Sequence, residues 1–167
     1  MASYAHLVLP ADAIKALPAT DKVHFLNPNG RRANRSLGDV TDLNALGVHV
    51  IEVPVGAEST ELHVHFDEEE FLYVLSGRGI VHLDDERYPV EAGTFVAFPT
   101  GGPAHLIENP GPETLRCLVV GQRLRHDRAD YPRLEKRLYR HPGGWDLVDH
   151  DHVVDPKARR GSTAGSK

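Results

Sequence analysis

The sequence predicts an all-β fold, either a sandwich or a barrel of short antiparallel strands. Short segments rich in β-branched and aromatic residues recur across residues 47–121. Clusters of Gly, Pro, Asp and Asn separate these segments at intervals of about 8–12 residues. No long amphipathic helical pattern lies between them, which disfavours a parallel α/β sheet. The chain has 167 residues, of which 40% are hydrophobic, and this suffices for one domain with a buried core.

The segment 1–46 is interpreted as an N-terminal arm and loop that pack on the barrel. A short helix is predicted over residues 11–17, because Pro10 suits its start and Pro18 follows its end. Residues 27–44 are rich in Asn, Gly, Arg and Asp, which is typical of a loop.

The segment 47–121 is interpreted as the barrel core. Its strands are predicted where apolar and β-branched runs stand between turn residues. In order along the chain, they cover residues 48–53, 60–66, 71–75, 79–83, 88–91, 94–98, 104–108 and 114–120.

The chain becomes more polar after the core, and residues 122–155 are interpreted as a C-terminal extension. A helix is predicted over residues 131–139, where Pro132 suits the first helical turn. Trp145 follows two glycines and is expected to pack on the barrel. Residues 156–167 are rich in Lys, Arg, Ser and Gly, which predicts a disordered tail.

Composition excludes several classes of function. The net charge is −5 and the one basic cluster, at Arg31, Arg32 and Arg35, is short, so no nucleic-acid partner is expected. Cys117 is the only cysteine, which excludes an internal disulfide and favours a small buried side chain. The sequence shows no signal peptide and no apolar run of the roughly 20 residues that a membrane helix needs. A cytoplasmic protein without a membrane partner is therefore expected.

Two histidines one residue apart, His63 and His65, are the clearest functional signal in the chain. Side chains at positions i and i+2 of a strand point to the same face of the sheet. Glu70 and His105 can add a carboxylate and a third imidazole. Three nitrogen ligands and one oxygen ligand would form a site for a divalent metal ion.

The spacing of these residues resembles the two sequence motifs of the cupin superfamily. The residues that match the first motif are, in order, Gly56, His63, His65, Glu70 and Gly77. Those that match the second are Gly93, Pro99, Gly101, His105 and Asn109. The chain carries one residue more than the usual pattern before His63 and one more before His105.

The resemblance extends to single-domain bacterial cupins, and it implies a double-stranded β-helix, or jelly-roll, barrel with short N- and C-terminal extensions. It also implies a bound divalent metal ion, either Fe, Mn, Ni or Zn, and a small-molecule substrate or ligand. The implied metal ligands are His63, His65, Glu70 and His105.

An acidic run, residues 67–70, contains the predicted carboxylate ligand. Glu70 is preferred over Glu69, since only Glu70 stands at the motif spacing from Gly77. The other acidic residues of the run are interpreted as a solvated turn.

Alternation from Glu70 onward predicts that Leu72 and Val74 face the interior. Phe71, Tyr73 and Leu75 then face outward, although an outer face in contact with water should be polar. We expect a second sheet or another subunit to cover them, and cupins commonly form homodimers.

Three classes of function remain open from the sequence. The first is a metalloenzyme that acts on a small organic acid or another oxygen-rich molecule, as a dioxygenase, decarboxylase or lyase. The second is a zinc-dependent sugar or sugar-phosphate isomerase or epimerase, in which phosphate binding requires an interior Lys or Arg. The core strands 48–83 contain only Arg78, at a turn, which argues against this class unless Arg31, Arg32 or Arg35 folds over the mouth of the barrel. The third is a non-catalytic binding protein. No catalytic residue beyond the metal ligands is identified.

Other histidines are ambiguous. His49 and His82 lie on predicted strands, and either could face the interior or the solvent. The His-rich tract 149–152 lies outside the predicted barrel and is interpreted as a structural or surface feature.

Overall fold

Thirteen strands and two short helices make up the computed structural model, which describes residues 4–154 and 156. The helices are α1 (Ala11–Ala16) and α2 (Leu37–Val40), and single 3₁₀ turns lie at Ala5–Leu7, Pro132–Leu134 and His150–His152. The strands are β1 (Thr20–His24), β2 (Asn27–Ser36), β3 (Leu46–Val53), β4 (Val64–His65), β5 (Glu70–Ser76), β6 (Arg78–Leu83), β7 (Glu86–Glu91), β8 (Phe95–Phe98), β9 (His105–Glu108), β10 (Leu115–Gln122), β11 (Asp127–Tyr131), β12 (Lys136–His141) and β13 (Gly144–Asp149).

The strands form three antiparallel sheets. A six-stranded sheet has the order β1-β2-β3-β10-β5-β8, a four-stranded sheet the order β13-β12-β11-β4, and a three-stranded sheet the order β7-β6-β9. This arrangement is all-β and jelly-roll in type, which confirms the predicted fold class. No described helix is long and apolar enough to cross a membrane.

The core lies between the inner face of the six-stranded sheet and that of the three-stranded sheet. Leu72 and Val74 on β5 and Leu115 and Cys117 on β10 are completely buried, as the alternation of side chains predicts. Each buried Leu or Val contributes about 1.5–3 kcal/mol relative to an exposed one. Burial also raises the pKa of the Cys117 thiol to about 12, so this side chain stays protonated in the core.

The predicted loop over residues 27–44 is wrong. Most of this range is the ten-residue strand β2, which pairs with β1 on one side and β3 on the other, and α2 follows it. Backbone hydrogen bonds to two neighbours hold β2, and one of its faces lines a polar cavity. An apolar side-chain pattern is therefore absent although the strand is central.

The predicted helix over residues 131–139 is also wrong. Tyr131 ends β11, Pro132 starts a 3₁₀ turn, and Glu135 turns the chain with φ 50° before β12 begins. The resulting hairpin buries Tyr131 and Leu138 together. Pro132 thus suits the first residue of a tight turn between strands, which local sequence does not distinguish from a helix start.

The predicted strand over residues 60–66 is shorter in the structure. Only Val64 and His65 belong to β4, which pairs with Ala129 and Asp130 of β11. The other predicted strands of the core are present, with ends shifted by a few residues.

Segments outside the core also contribute strands to the sheets. β1 and β2 extend the six-stranded sheet, and β11 hydrogen-bonds to the histidine strand β4. We propose that the division into an arm 1–46, a core 47–121 and an extension 122–155 describes the chain, with both flanks covering one end of the barrel. The predicted disordered tail lies, apart from Pro156, outside the described residues.

Candidate metal centre

One cavity of about 500 Å³ contains all four residues of the predicted metal set, His63, His65, Glu70 and His105, in its lining. His63 lies directly opposite His105 in an isolated antiparallel bridge. Their backbones exchange two hydrogen bonds, of 3.2 Å from His63 N and 2.7 Å from His105 N. The pairing brings the two imidazole centroids within 4.5 Å, although 42 residues separate them in the chain.

His65 completes the group of imidazoles. Its ring centroid lies 4.9 Å from that of His63 and 6.3 Å from that of His105. His65 and His63 share a face because one residue separates them on an extended backbone. The two imidazoles therefore share a face even though His63 lies outside strand β4.

Each of the three imidazoles has an oxygen acceptor near Nδ1. Nδ1 of His63 lies 2.9 Å from the Glu61 carbonyl oxygen, and Nδ1 of His65 lies 2.7 Å from Oδ2 of Asp127. Nδ1 of His105 lies 3.5 Å from the Pro103 carbonyl oxygen. Such oxygens only accept hydrogen bonds, so Nδ1 carries the hydrogen and Nε2 keeps its lone pair.

His105 provides the clearest indication of a missing ligand. Its Nε2 atom is buried without a hydrogen-bond partner in the described part of the chain. The Phe98 ring stacks on the imidazole at 3.9 Å with an interplanar angle of 10°, which holds the ring in place. A buried nitrogen without a partner is costly, and a metal ion would satisfy it.

Glu70 opens β5 on the same cavity wall. Its Oε1 lies 3.9 Å from Nε2 of His105. Gly121 on the neighbouring strand leaves room for this carboxylate, since a Cβ there would lie 3.2 Å from Oε2 of Glu70. Glu69 does not line this cavity, and its backbone N–H donates to the Gln122 side chain.

Of the other acidic residues in the run, Glu69 is exposed, as a solvated turn predicts, but the prediction is wrong for Glu68 and Asp67. Glu68 is only 5% exposed and accepts hydrogen bonds from the Arg140 side chain and the Leu124 backbone. Asp67 pairs with Arg128 on β11 at 3.0 Å. Two arginines from the C-terminal strands thus neutralise charges that the sequence places in a turn.

The electrostatics keep two of the imidazoles neutral. Burial, reinforced by the neighbouring histidines, holds the pKa of His63 well below its usual range. Burial likewise lowers the pKa of His105 to about 3. Burial also lowers the pKa of His65, but the Asp127 hydrogen bond and the Glu70 charge outweigh it, so the pKa is raised.

These donors fit a divalent metal ion. Three nitrogens with free lone pairs and one carboxylate match the ligands that Fe, Mn, Ni and Zn accept. The ligand atoms of a second group, His65, Glu68 and Asp127, lie within 4.8 Å of one another. Asp127 bonds His65 and Glu68 bonds Arg140, so this cluster supports the set and does not compete with it.

Asn109, a residue of the second sequence motif, hydrogen-bonds backbone groups and not the other motif side chains. Asn109 is completely buried, and its amide donates to the carbonyl oxygens of Val53 and Glu113 at 2.8 and 2.9 Å. Its Oδ1 accepts the Gly111 N–H at 3.0 Å. Asn109 therefore stabilises the turn after β9 and lies outside the metal set.

The cavity lining also includes polar residues from the first strands of the six-stranded sheet, the sheet to which Glu70 on β5 belongs. They come from β1, β2 and β3 and comprise Lys22, His24, Arg32, Asn34 and His49. In an extended β2, the alternation of Arg32 and Asn34 would have indicated a shared inner face. Arg32 is thus the member of the basic cluster that reaches the interior.

The ambiguous histidines separate clearly. His49 lines the cavity and lies 3.3 Å from the Asn34 amide nitrogen. His82 is not among the lining residues, and its Nε2 pairs with Glu108 at 2.8 Å. In the tract 149–152, the residues that could bind a cation are all exposed.

The C-terminal extension closes part of the cavity. Tyr131, Leu138 and Trp145 belong to its lining, although the sequence singled out only Trp145. Trp145 is 61% exposed, with the Arg140 guanidinium 5.6 Å from its ring centroid. It therefore lies at the rim of the cavity, and only part of the ring packs against the protein.

Comparison with known proteins agrees with this architecture. The family model of the cupin domain matches residues 49–121. An uncharacterized protein of Methanocaldococcus jannaschii is 44% identical over 66 residues, which are 40% of this chain and 51% of that protein. An oxalate-binding protein of Thermotoga maritima is 39% identical over 70 residues, which are 42% of this chain and 56% of that protein. The chain thus spans about half the length of these curated relatives.

Two solved structures match nearly the whole chain. One, from Acidithiobacillus ferrooxidans and provisionally named a sugar phosphate isomerase, has 47% identity and a TM-score of 0.91, covering 93% of this chain and all of that one. The other, a cupin-superfamily sugar phosphate isomerase from Silicibacter pomeroyi, has 27% identity and a TM-score of 0.76, covering 89% of this chain and 96% of that one. The motifs, the barrel and these relatives together establish that the chain belongs to the cupin superfamily.

Proposed function

We propose that this cupin is a metal-dependent enzyme for a small, oxygen-rich molecule. The observation that carries the proposal is a set of three imidazoles in one cavity with Glu70, each with an oxygen acceptor at Nδ1. Nε2 of His105 is buried without a hydrogen-bond partner among the described residues. His63, His65, Glu70 and His105 would hold the ion. A divalent metal supplies a Lewis acid that polarises a substrate oxygen.

The surrounding residues support catalysis on a small ligand. Asp127 orients His65, and a cavity of about 500 Å³ matches the size of small-molecule sites. Burial raises the pKa of Tyr131 to about 12, so its hydroxyl stays protonated and is able to donate a hydrogen bond. His24 accepts the Leu26 N–H at Nδ1, which leaves its other ring nitrogen as a donor.

Sugar-phosphate isomerisation is one candidate reaction. The two solved relatives that match nearly the whole chain carry that description. The required interior cation is available, because both Arg32 and Lys22 line the cavity.

Turnover of a small organic acid is a second candidate, with comparable support. A relative that is 39% identical over the barrel is an oxalate-binding protein. A carboxylate could bind a metal ion directly, and dioxygenase, decarboxylase or lyase chemistry would follow from that binding.

The test starts with protein purified without chelator. We expect about one divalent ion per chain by mass spectrometry of metals, its loss from a His63→Ala/His65→Ala variant, and its retention in His49→Ala, which changes a histidine of the same cavity. Zinc together with aldose–ketose interconversion of sugar phosphates supports the first candidate. Iron or manganese with O₂ uptake or oxalate consumption supports the second. Full metal content in the double variant would refute the proposed ligands.

A further inference from the structure

Two cations from the first two strands of the six-stranded sheet line the cavity that holds the proposed metal ligands. Lys22 on β1 and Arg32 on β2 are register partners in the antiparallel ladder. Both line the cavity. Like charges at directly opposite positions destabilise a sheet, so this pair carries a cost in the absence of a counter-charge.

Neither cation forms an ion pair with a carboxylate of residues 4–154. Other basic residues nearby do, since Arg35 pairs with Glu52 at 2.8 Å and Arg123 with Asp39 at 2.6 Å. Lys22 and Arg32 therefore combine a position in the cavity lining with the absence of a carboxylate partner among residues 4–154.

Most of the Arg32 guanidinium is available to a ligand. Of its five N–H donors, one on Nη1 is used by the Ser59 carbonyl oxygen. Burial lowers the pKa of Arg32 while the charge of Glu70 opposes this, and the guanidinium stays cationic. A half-buried cation with free donors attracts an anion, because desolvation has already removed part of its hydration.

Burial lowers the pKa of Lys22, with the charges of Arg32 and Arg123 adding to this and that of Asp39 opposing it. The other polar side chains that line the cavity on β2 and β3 are neutral. Asn34 lies two residues from Arg32 on the same face, and His49 lies beside Asn34. The carboxylates in the cavity lining, Glu70 and Asp127, belong to the metal set and its support. Lys22 and Arg32 are the lysine and the arginine of the cavity lining, which also holds the proposed metal ligands.

We propose that Lys22 and Arg32 form a subsite for a phosphate monoester, in the same cavity as the proposed metal ligands. A phosphate monoester carries a charge of about −1.5 to −2 at neutral pH, which two cations balance, whereas one carboxylate balances only one. Its three oxygens also suit the planar fork of a guanidinium. As a statement about substrate the inference rests on the proposed function, but phosphate binding itself requires no metal.

The experiment measures binding of inorganic phosphate, glucose 6-phosphate, glucose and oxalate by calorimetry, on both metal-free and metal-loaded protein. We expect phosphate to bind metal-free protein, with an affinity that falls as salt rises. Arg32→Gln should weaken phosphate binding about 10- to 100-fold, and Lys22→Met should weaken it as well. Arg31→Gln is the matched control, because Arg31 is exposed on the adjacent position of β2 and should change nothing.

The variant Arg32→Lys keeps the positive charge and shows whether a loss of phosphate binding in Arg32→Gln comes from misfolding. We expect Arg32→Lys to bind phosphate more weakly than the natural chain but more tightly than Arg32→Gln. Equal phosphate affinity in the natural chain, Arg32→Gln and Lys22→Met would overturn the subsite. Tighter binding of oxalate than of glucose 6-phosphate to metal-free protein would overturn the phosphate assignment. Metal content reports separately on the proposed function, since it should be the same in all of these variants.

Discussion

Asp127 shows how a single residue can determine a metal site without binding the metal. Its Oδ2 accepts a hydrogen bond from Nδ1 of His65 at 2.7 Å, and its Oδ1 lies 3.3 Å from the Asp67 backbone nitrogen. This bond selects the tautomer that leaves Nε2 free and increases the basicity of the ring. Asp127 is therefore a positioning residue for the proposed metal centre.

Replacement of Asp127 tests this role. We expect Asp127→Asn to reduce metal affinity by about 10- to 100-fold, because the amide fails to stabilise the same imidazole tautomer with a charge. Competition with a chromogenic chelator measures the affinity. Asp130→Asn serves as the control, since Asp130 lies on the same strand but pairs with Arg137 at 2.6 Å. An unchanged affinity in Asp127→Asn would contradict the role.

Acid should release the metal from this site. The imidazoles bind metal only when neutral, so protons compete with the ion and affinity falls as pH falls. His65 protonates first, since its pKa is raised, while burial keeps the pKa values of His63 and His105 low. We expect loss of metal below about pH 6. Dialysis at pH 5 and pH 7.5 followed by metal analysis measures it, and full retention at pH 5 would disprove the prediction.

The turn between β5 and β6 depends on a glycine. Gly77 is the single residue between the two strands and has φ 86°, a left-handed conformation that other residues rarely adopt. A Cβ at this position would also lie 2.8 Å from the Thr114 carbonyl oxygen. The motif glycine therefore lets the chain pass from the six-stranded sheet to the three-stranded sheet.

Two alanine substitutions distinguish the loss of unfolding free energy caused by a positive φ from the loss caused by a steric clash of the new Cβ. Gly56 has φ 76° but open space around a Cβ, so Gly56→Ala should cost about 1–2 kcal/mol of unfolding free energy. Gly77→Ala should cost more, because the same backbone penalty is joined by contact with a carbonyl group. Urea denaturation measures both, and an equal cost would show that the Thr114 contact relaxes freely.

The elements that local sequence predicted well are those whose side chains carry an apolar alternation. Strands β3, β5 and β10 follow that pattern because one face is in the core. The sequence does not predict strand β2, because its inner face lines a polar cavity and therefore lacks apolar side chains. The backbone hydrogen bonds that hold β2 do not depend on side-chain type, so amino-acid composition does not indicate them. The sequence predicts a helix where the hairpin of β11 and β12 lies, because Pro132 suits the first residue of a helix and also that of a tight turn.

At the scale of the whole molecule, an apolar outer face remains uncovered within the described residues. Phe95 is 59% exposed, and Tyr73 and Leu75 are each 40% exposed on the adjacent strand. The rings of Phe71 and Phe95 lie 5.4 Å apart beside a shallow groove of about 320 Å³. Such a patch at a sheet edge is typical of an interface.

We expect a homodimer that covers this face. Light scattering should give twice the mass of one chain, and Phe95→Lys should shift the equilibrium to the monomer, because the interface would bury a charge. Tyr88→Lys is the control, since Tyr88 is also exposed but lies on the three-stranded sheet. A monomer at concentrations of tens of micromolar, or a dimer unaffected by Phe95→Lys, would contradict the prediction.

The sequence by itself determined the fold class, the family and the residues of the proposed metal set. This was possible because strand parity, motif spacing and left-handed glycines depend on residues close together in the chain. His63 and His65 share a face through backbone geometry alone. Gly77 indicates a turn because glycine, which has no Cβ, readily adopts the positive φ that this turn requires.

Only the tertiary structure decided what surrounds that set. Asp127 hydrogen-bonds His65 across 62 residues of sequence. Lys22 and Arg32 line the cavity from β1 and β2, and Arg32 lies in the range that composition predicts to be a loop. These contacts depend on which strands pair and in which register, and a polar strand carries little hydrophobic pattern to indicate either. The position of the two cations in one cavity with the proposed metal ligands is therefore a property of the assembled sheets.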